Sequence, residues 1–166
     1  MNSITKNFDV TNKSGKNISF DLVFKKSDID YILHAAMSGP SAMNTQPWEF
    51  YVVVSNTALE SLKSVSRYSG YDAPLAIVVA FNLDNALSGE MKDFAIQDVS
   101  SATENILLAA TDKGLGSVWC GIYPIKQYVI NLQKCLNLPD NIIPLNIIYI
   151  GYPKDKVEPR DQFSQN

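Results

Sequence analysis

Two hydrophobic periods share this chain. Phe50 to Val54, Ala73 to Phe81 and Ile143 to Ile150 are almost unbroken apolar runs rich in β-branched residues, the pattern of strands covered on both faces. Pro74 fits only at the start of the second run, because proline brings no N–H to a ladder, and Pro144 interrupts the third. Leu115 to Pro124 reads as a further strand bounded by glycines, which allow close approach of another strand or of a ligand ring.

Between these runs the period changes to that of a helix. Ser27 opens one pattern, with Asp30 near its N-terminal end and Ile29, Ile32, Leu33 and Ala36 on one face, and Gly39-Pro40 ends it. Thr57-Ala58-Leu59-Glu60 reads as a capping box that starts a helix running to about Ser66. Glu90 to Lys113 is the longest pattern, stopped by Gly114, and its faces carry many small residues. A central core helix and a helix packed on its twin in a dimer both explain that composition. Ile125 to Leu136 is amphipathic, with Val129, Leu132, Cys135 and Leu136 inward, and Leu138-Pro139-Asp140 stops it.

The first residues differ from the rest. Phe8 to Val10 and Ile18 to Leu22 alternate around the turn signal Ser14-Gly15, which predicts a β-hairpin, so residues 1–26 are set apart from a main domain over 27–166. Interleaved strands and helices predict an α/β or α+β class.

Composition narrows the function. The chain has 166 residues, 46% apolar and 19% charged, with a net charge of −3, enough for one domain with a substantial core. Its only arginines are Arg67 and Arg160, so no basic field attracts nucleic acid or an anionic membrane. No apolar run is long enough to span a bilayer and no signal-peptide pattern opens the chain, which predicts a cytoplasmic protein. Cys120 and Cys135 suggest neither a disulfide framework nor a zinc site, and His34, the single histidine, has no acid, base or metal partner in its neighbourhood.

One connector has more chemistry than a connector needs. Ser38 to Trp48 holds two carboxamides, Asn44 and Gln46, several hydroxyls and an indole. Such a loop can hydrogen-bond a planar polar ligand, or can serve as a helix cap followed by a turn that docks Trp48 into the core.

The residues Pro40-Ser41-Ala42-Met43-Asn44-Thr45-Gln46-Pro47-Trp48 resemble the Pro-Ser-x-x-Asn-x-Gln-Pro-Trp signature of the FMN-dependent nitroreductase family. Three more blocks resemble it in the same order: Ala73 to Val79, Gln97 to Pro124, and Leu138-Pro139 with Ile148 to Pro153 and on to Pro159-Arg160. The resemblance implies an α+β sandwich in which helices flank a central mixed, mainly antiparallel sheet, and a homodimer with FMN at the subunit interface. It implies that Pro40, Ser41 and Asn44 meet the partner's flavin, that Ala42 and Gln46 also bind the cofactor, that Cys120 and Gly121 turn backbone amides to the flavin near N5, and that Arg160 pairs with the phosphate.

NAD(P)H as co-substrate and a small acceptor such as a nitroaromatic or quinone follow from the same resemblance. No catalytic side chain and no metal ligand are expected, because the cofactor carries the chemistry. The pocket over the flavin is expected to draw on residues 67–72 and 82–89. The family's usual N-terminal arginine segment has no counterpart in residues 1–27, which leaves Arg160 to be helped by Lys13, Lys16, Lys25, Lys26 or Lys156. That gap keeps open an alternative, a non-catalytic flavin-binding or interaction protein on the same fold.

Overall fold

The computed structural model describes residues 6–8 and 24–153. In chain order they form β1 (Lys6–Phe8), α1 (Lys26–Met37), β2 (Trp48–Val53), α2 (Asn56–Leu62), β3 (Leu75–Asn82), α3 (Phe94–Asp112), β4 (Gly116–Gly121), α4 (Lys126–Leu136) and β5 (Ile142–Gly151). Short 3-10 turns lie at Ala42–Asn44 and Gly89–Met91.

The sheet order is β1-β2-β3-β5-β4, with β1 parallel to β2 and every other pair antiparallel. This is the mixed, mainly antiparallel sheet that the resemblance implies. The predicted hairpin of Phe8 to Leu22 lies outside the described residues except for Phe8, which closes β1.

Alternation along the strands divides the core in two. On β3, Leu75, Ile77, Val79 and Phe81 pack toward α1 and α3, while Ala76, Val78 and Ala80 pack toward α2 and α4. Both faces are covered, which is why the strands read as continuous apolar runs. Each fully buried aliphatic side chain in these layers contributes about 1.5–3 kcal/mol relative to exposure.

Pro144 sits inside β5 opposite Ala80, at a register shift between Val79 and Ala80. A bulge accommodates a residue that cannot donate to the ladder. The shift also leaves Asn146 on the α3 face, where its Nδ2 donates to Thr103 Oγ1 at 3.0 Å.

Several predicted helix ends move. α1 begins at Lys26, and the acidic residue in its first turn is Asp28; Asp30 instead accepts from Lys26 Nζ at 2.6 Å, one turn along. α2 is capped by Ser55, whose Oγ accepts from Ala58 N at 3.3 Å, so Thr57 lies inside the helix and the Thr57–Glu60 capping box does not form. α2 ends at Leu62, short of Ser66, and α3 starts at Phe94 after the separate Gly89–Met91 turn. α4 is closed by Asn137 in the left-handed region (φ 55°), ahead of the proline expected to stop it. Among the described residues, no helix is long and apolar enough to cross a membrane.

Candidate functional site

The loop from Pro40 to Gln46 is tied to α3 by one backbone bond and braced within itself by others. Ala42 N donates to Asp98 Oδ1 at 2.8 Å, Gln46 N donates to Ser41 Oγ at 3.0 Å, and Thr45 Oγ1 donates to Ala42 O at 3.1 Å. Inside this frame Met43, Asn44 and Gln46 have positive φ of 51°, 57° and 48°. Asparagine tolerates that region, whereas for methionine and glutamine it costs about 1–2 kcal/mol each. Strain of this kind persists only where surrounding contacts enforce it.

The frame leaves the expected functional side chains outward. Asn44 and Gln46 are exposed and have no side-chain hydrogen bond among the described residues, while Ser41 uses its oxygen as an acceptor and keeps its hydroxyl proton to donate. Pro47 and Trp48 are buried and carry the chain into β2. The loop is therefore both a docked turn and a polar surface. Gly39 is required by closeness: a Cβ there would lie 2.9 Å from Ser101 Oγ and 3.3 Å from Ala102 N of α3.

The second half of the site is the outer edge of β4. Ile122 N donates to Leu145 O at 3.0 Å, and the ladder pairs Cys120 with Ile147 and Gly121 with Asn146. Backbone groups in an antiparallel ladder alternate in direction, so Cys120 turns its N–H and C=O to β5, and Trp119 and Gly121 turn theirs to the open side. Of the two predicted amides, Gly121's is the one available to a ligand.

Along this edge runs a groove in two parts. A cavity of about 430 Å³ is walled by Tyr68, Tyr71, Tyr123, Trp119, Gly121 and Ile125, with Cys120 behind. A second, of about 250 Å³, continues past Gly116 and Ser117 to Gly151 and Pro153, and Tyr71 borders both. A Cβ on Gly121 would meet nothing within 4 Å, so the missing side chain leaves open space over the strand.

Tyr68 and Tyr71 are held by a buried serine. Ser69 Oγ donates to Ser66 O at 2.9 Å and accepts from Ser66 N at 2.9 Å, while its carbonyl accepts from Tyr149 Oη at 2.8 Å. Tyr71 also packs its ring on Tyr149 at 5.7 Å, and Arg67 stacks over Tyr68 at 4.5 Å. The sequence marks residues 67–72 as a pocket wall; which side chains face the groove depends on a fold of the loop that has no periodic signal. Residues 82–89 do not border either cavity.

Cys120 and Cys135 both have thiols pushed up in pKa by burial, the condition of inert packing residues. Tyr149 is also raised, first by burial and then by the two cysteines. Among the described residues no cluster of His, Cys, Asp or Glu is placed to hold a metal. Among the described residues, 40–46 border neither of these two cavities. Arg160 lies outside the described residues.

The fold is shared with known proteins. A model of the nitroreductase family matches residues 24–69 and 58–152. A provisionally named NADH dehydrogenase/NAD(P)H nitroreductase of Methanothermobacter thermautotrophicus is 42% identical over 137 residues, spanning 81% of this chain and 70% of that protein. The crystal structure of a provisionally named NADH oxidase from Clostridium acetobutylicum matches with a TM-score of 0.79 at 39% identity, over 85% of each chain. That of a provisionally named nitroreductase from Desulfovibrio desulfuricans, solved in complex with FMN, matches with a TM-score of 0.68 at 25% identity, over 86% of this chain and 83% of that one. With its sheet order, its signature loop and its glycine-edged strand, the chain belongs to the nitroreductase family.

Proposed function

We propose that this chain is a homodimeric, cytoplasmic FMN-dependent oxidoreductase that takes electrons from NAD(P)H and delivers them to a small acceptor such as a nitroaromatic or a quinone. The feature that carries the reading is Gly121: the phase of the ladder turns its backbone N–H to the open strand edge, with no side chain over it.

The groove suits a flavin by its chemistry. Around Gly121 its walls are aromatic and uncharged, while Asp72, ion-paired with Lys63, lines the second cavity; its donors are neutral, the amides of Trp119 and Gly121 and the hydroxyls of Tyr68, Tyr71 and Ser117. Aromatic walls with a few convergent polar groups are the usual lining of a cofactor pocket. FMN, when bound, supplies the hydride-accepting and electron-donating chemistry. The chain supplies orientation: Gly121 N–H serves the N5 edge of the ring, and fixed backbone donors stabilise electron density without reorganising.

The second cavity leads to the phosphate end. Phe24 stacks on Tyr152 with ring centroids 5.2 Å apart, which brings the start of α1 beside the exit of β5. Arg160 follows on the segment leaving Pro153, and Lys25, exposed next to Phe24, is the described lysine best placed to assist it. Pro40, Ser41, Ala42, Asn44 and Gln46 are assigned to the partner's flavin, in keeping with a loop whose free side chains border neither cavity of their own chain's groove.

An FMN titration followed by anaerobic addition of NADH or NADPH tests the reading. Bound flavin should quench and then bleach on reduction. Protein that leaves the flavin spectrum unchanged at micromolar FMN sinks it, and tight binding without bleaching favours the non-catalytic alternative.

A further inference from the structure

We propose that Asp98 is a positioning residue that presets the Ser41–Gln46 loop for the flavin held by the partner chain. The inference rests on the flavin reading above for its functional arm and on geometry alone for its structural one.

Asp98 lies on α3 among Ala95, Val99 and Ala102, and only 6% of its surface is exposed. Packing alone gives no reason for a carboxylate there, because a buried charge is costly unless hydrogen bonds compensate it. Its Oδ1 accepts the N–H of Ala42 at 2.8 Å. That bond joins the loop to a helix fifty-six positions away in sequence.

Ala42 is the last residue before the left-handed stretch. Met43, Asn44 and Gln46 hold positive φ, and the remaining bonds of Ser41 to Gln46 (Gln46 N to Ser41 Oγ, Thr45 N and Thr45 Oγ1 to Ala42 O, Asn44 N to Ser41 O) lie within the loop itself. Those local bonds fix the loop's shape, and the bond to Asp98 ties that shape to the fold. Gly39, pressed against Ser101 and Ala102, brings the chain onto α3 just upstream. One helix thus serves as the platform on which the side chains of Asn44 and Gln46 are presented.

Without the carboxylate, the strained conformation competes with relaxed ones. A ligand's apparent dissociation constant rises in inverse proportion to the binding-competent fraction. Asp98 therefore acts through Ala42, touching neither flavin nor substrate.

The experiment compares wild type, Asp98→Ala and Asp98→Asn as intact dimers by hydrogen exchange without flavin and by FMN titration. Asp98→Ala should accelerate exchange in peptides covering residues 40–47 while those of α3 and β3 keep their protection. It should also weaken FMN binding about tenfold, the equivalent of ~1.4 kcal/mol. Asp98→Asn, which retains a carbonyl oxygen for Ala42 N–H, should restore binding to within about threefold and restore loop protection. Unchanged loop exchange in Asp98→Ala overturns the proposal, as does exchange that rises equally across α3 and the sheet, the mark of a general core residue. Should wild type bind no FMN, the flavin reading fails, and the exchange comparison still decides whether Asp98 holds the loop.

Discussion

Gly121 and Asn146 face each other across the β4–β5 ladder, and they are complementary opposites: the glycine has no side chain, and the asparagine has a fully buried one whose oxygen has no partner among the described residues. The pair marks the place where the sheet's edge gives way from packed core to open groove.

Gly121 separates folding from binding. Because a Cβ there would meet nothing within 4 Å, Gly121→Val should fold with a melting temperature close to wild type. The same side chain would stand over the amide assigned to the flavin. FMN affinity should fall by at least about tenfold, through steric exclusion together with a hydrogen bond worth ~1 kcal/mol. Thermal melts and FMN fluorescence titration read the two effects, and a valine variant that binds FMN like wild type would remove the β4 groove from the site.

Asn146 makes the opposite case. Its Nδ2 donates to Thr103 Oγ1, which itself donates to Val99 O at 2.8 Å, and Asn146 Oδ1 has no partner among the described residues. Thr103→Val strips the amide of its remaining side-chain bond and should cost about 1–3 kcal/mol. Thr103→Val combined with Asn146→Leu replaces both partners by apolar groups and should recover most of that loss. Urea denaturation of the two single variants and the double variant gives the coupling; simple additivity would show that the buried bond stabilises nothing.

These two residues also show what a sequence can and cannot disclose. The strands of the central layer are legible because burial on both faces writes an unbroken apolar run, as from Leu75 to Phe81. The signature loop is legible as composition, since Asn44 and Gln46 are unusual in a plain connector. Helix ends are less so, because Ser55 and Thr57 are both plausible caps and only the backbone path decides between them. The choice between the Cys120 and Gly121 amides depends on ladder phase, which pairing with β5 sets. Tyr68 and Tyr71 face the groove because Ser69 is buried beneath them, a tertiary fact with no local pattern.

The loop that carries those tyrosines predicts an alkaline limit to stability. Burial is the main cause that raises the Tyr149 pKa, and its hydroxyl donates to Ser69 O, a bond that needs the protonated form. A phenol with a folded pKa above its unfolded value of about 10 contributes stability that is complete below that value. The contribution is lost as pH rises from there through the folded pKa. Urea midpoints should therefore decline above about pH 10, and Tyr149→Phe should start lower but decline less steeply. Equal slopes for wild type and Tyr149→Phe would assign the alkaline loss to other groups.

Arg160 tests the far end of the groove. It follows Pro153, which borders the second cavity, by seven positions in the sequence. A guanidinium fork on a phosphate gives charge-assisted bonds of about 1.5–3 kcal/mol, so Arg160→Ala should weaken FMN binding about 10- to 100-fold. Riboflavin lacks the phosphate and should lose little. Arg160→Lys keeps the charge without the fork and should fall between wild type and alanine. Lys25→Ala should have a smaller effect of the same kind, because an exposed ammonium is a weakly held point charge. Both charge effects should shrink as salt is raised, through screening. Titrations with FMN and riboflavin at low and high salt measure all of this, and equal losses for the two flavins in Arg160→Ala would place the phosphate elsewhere.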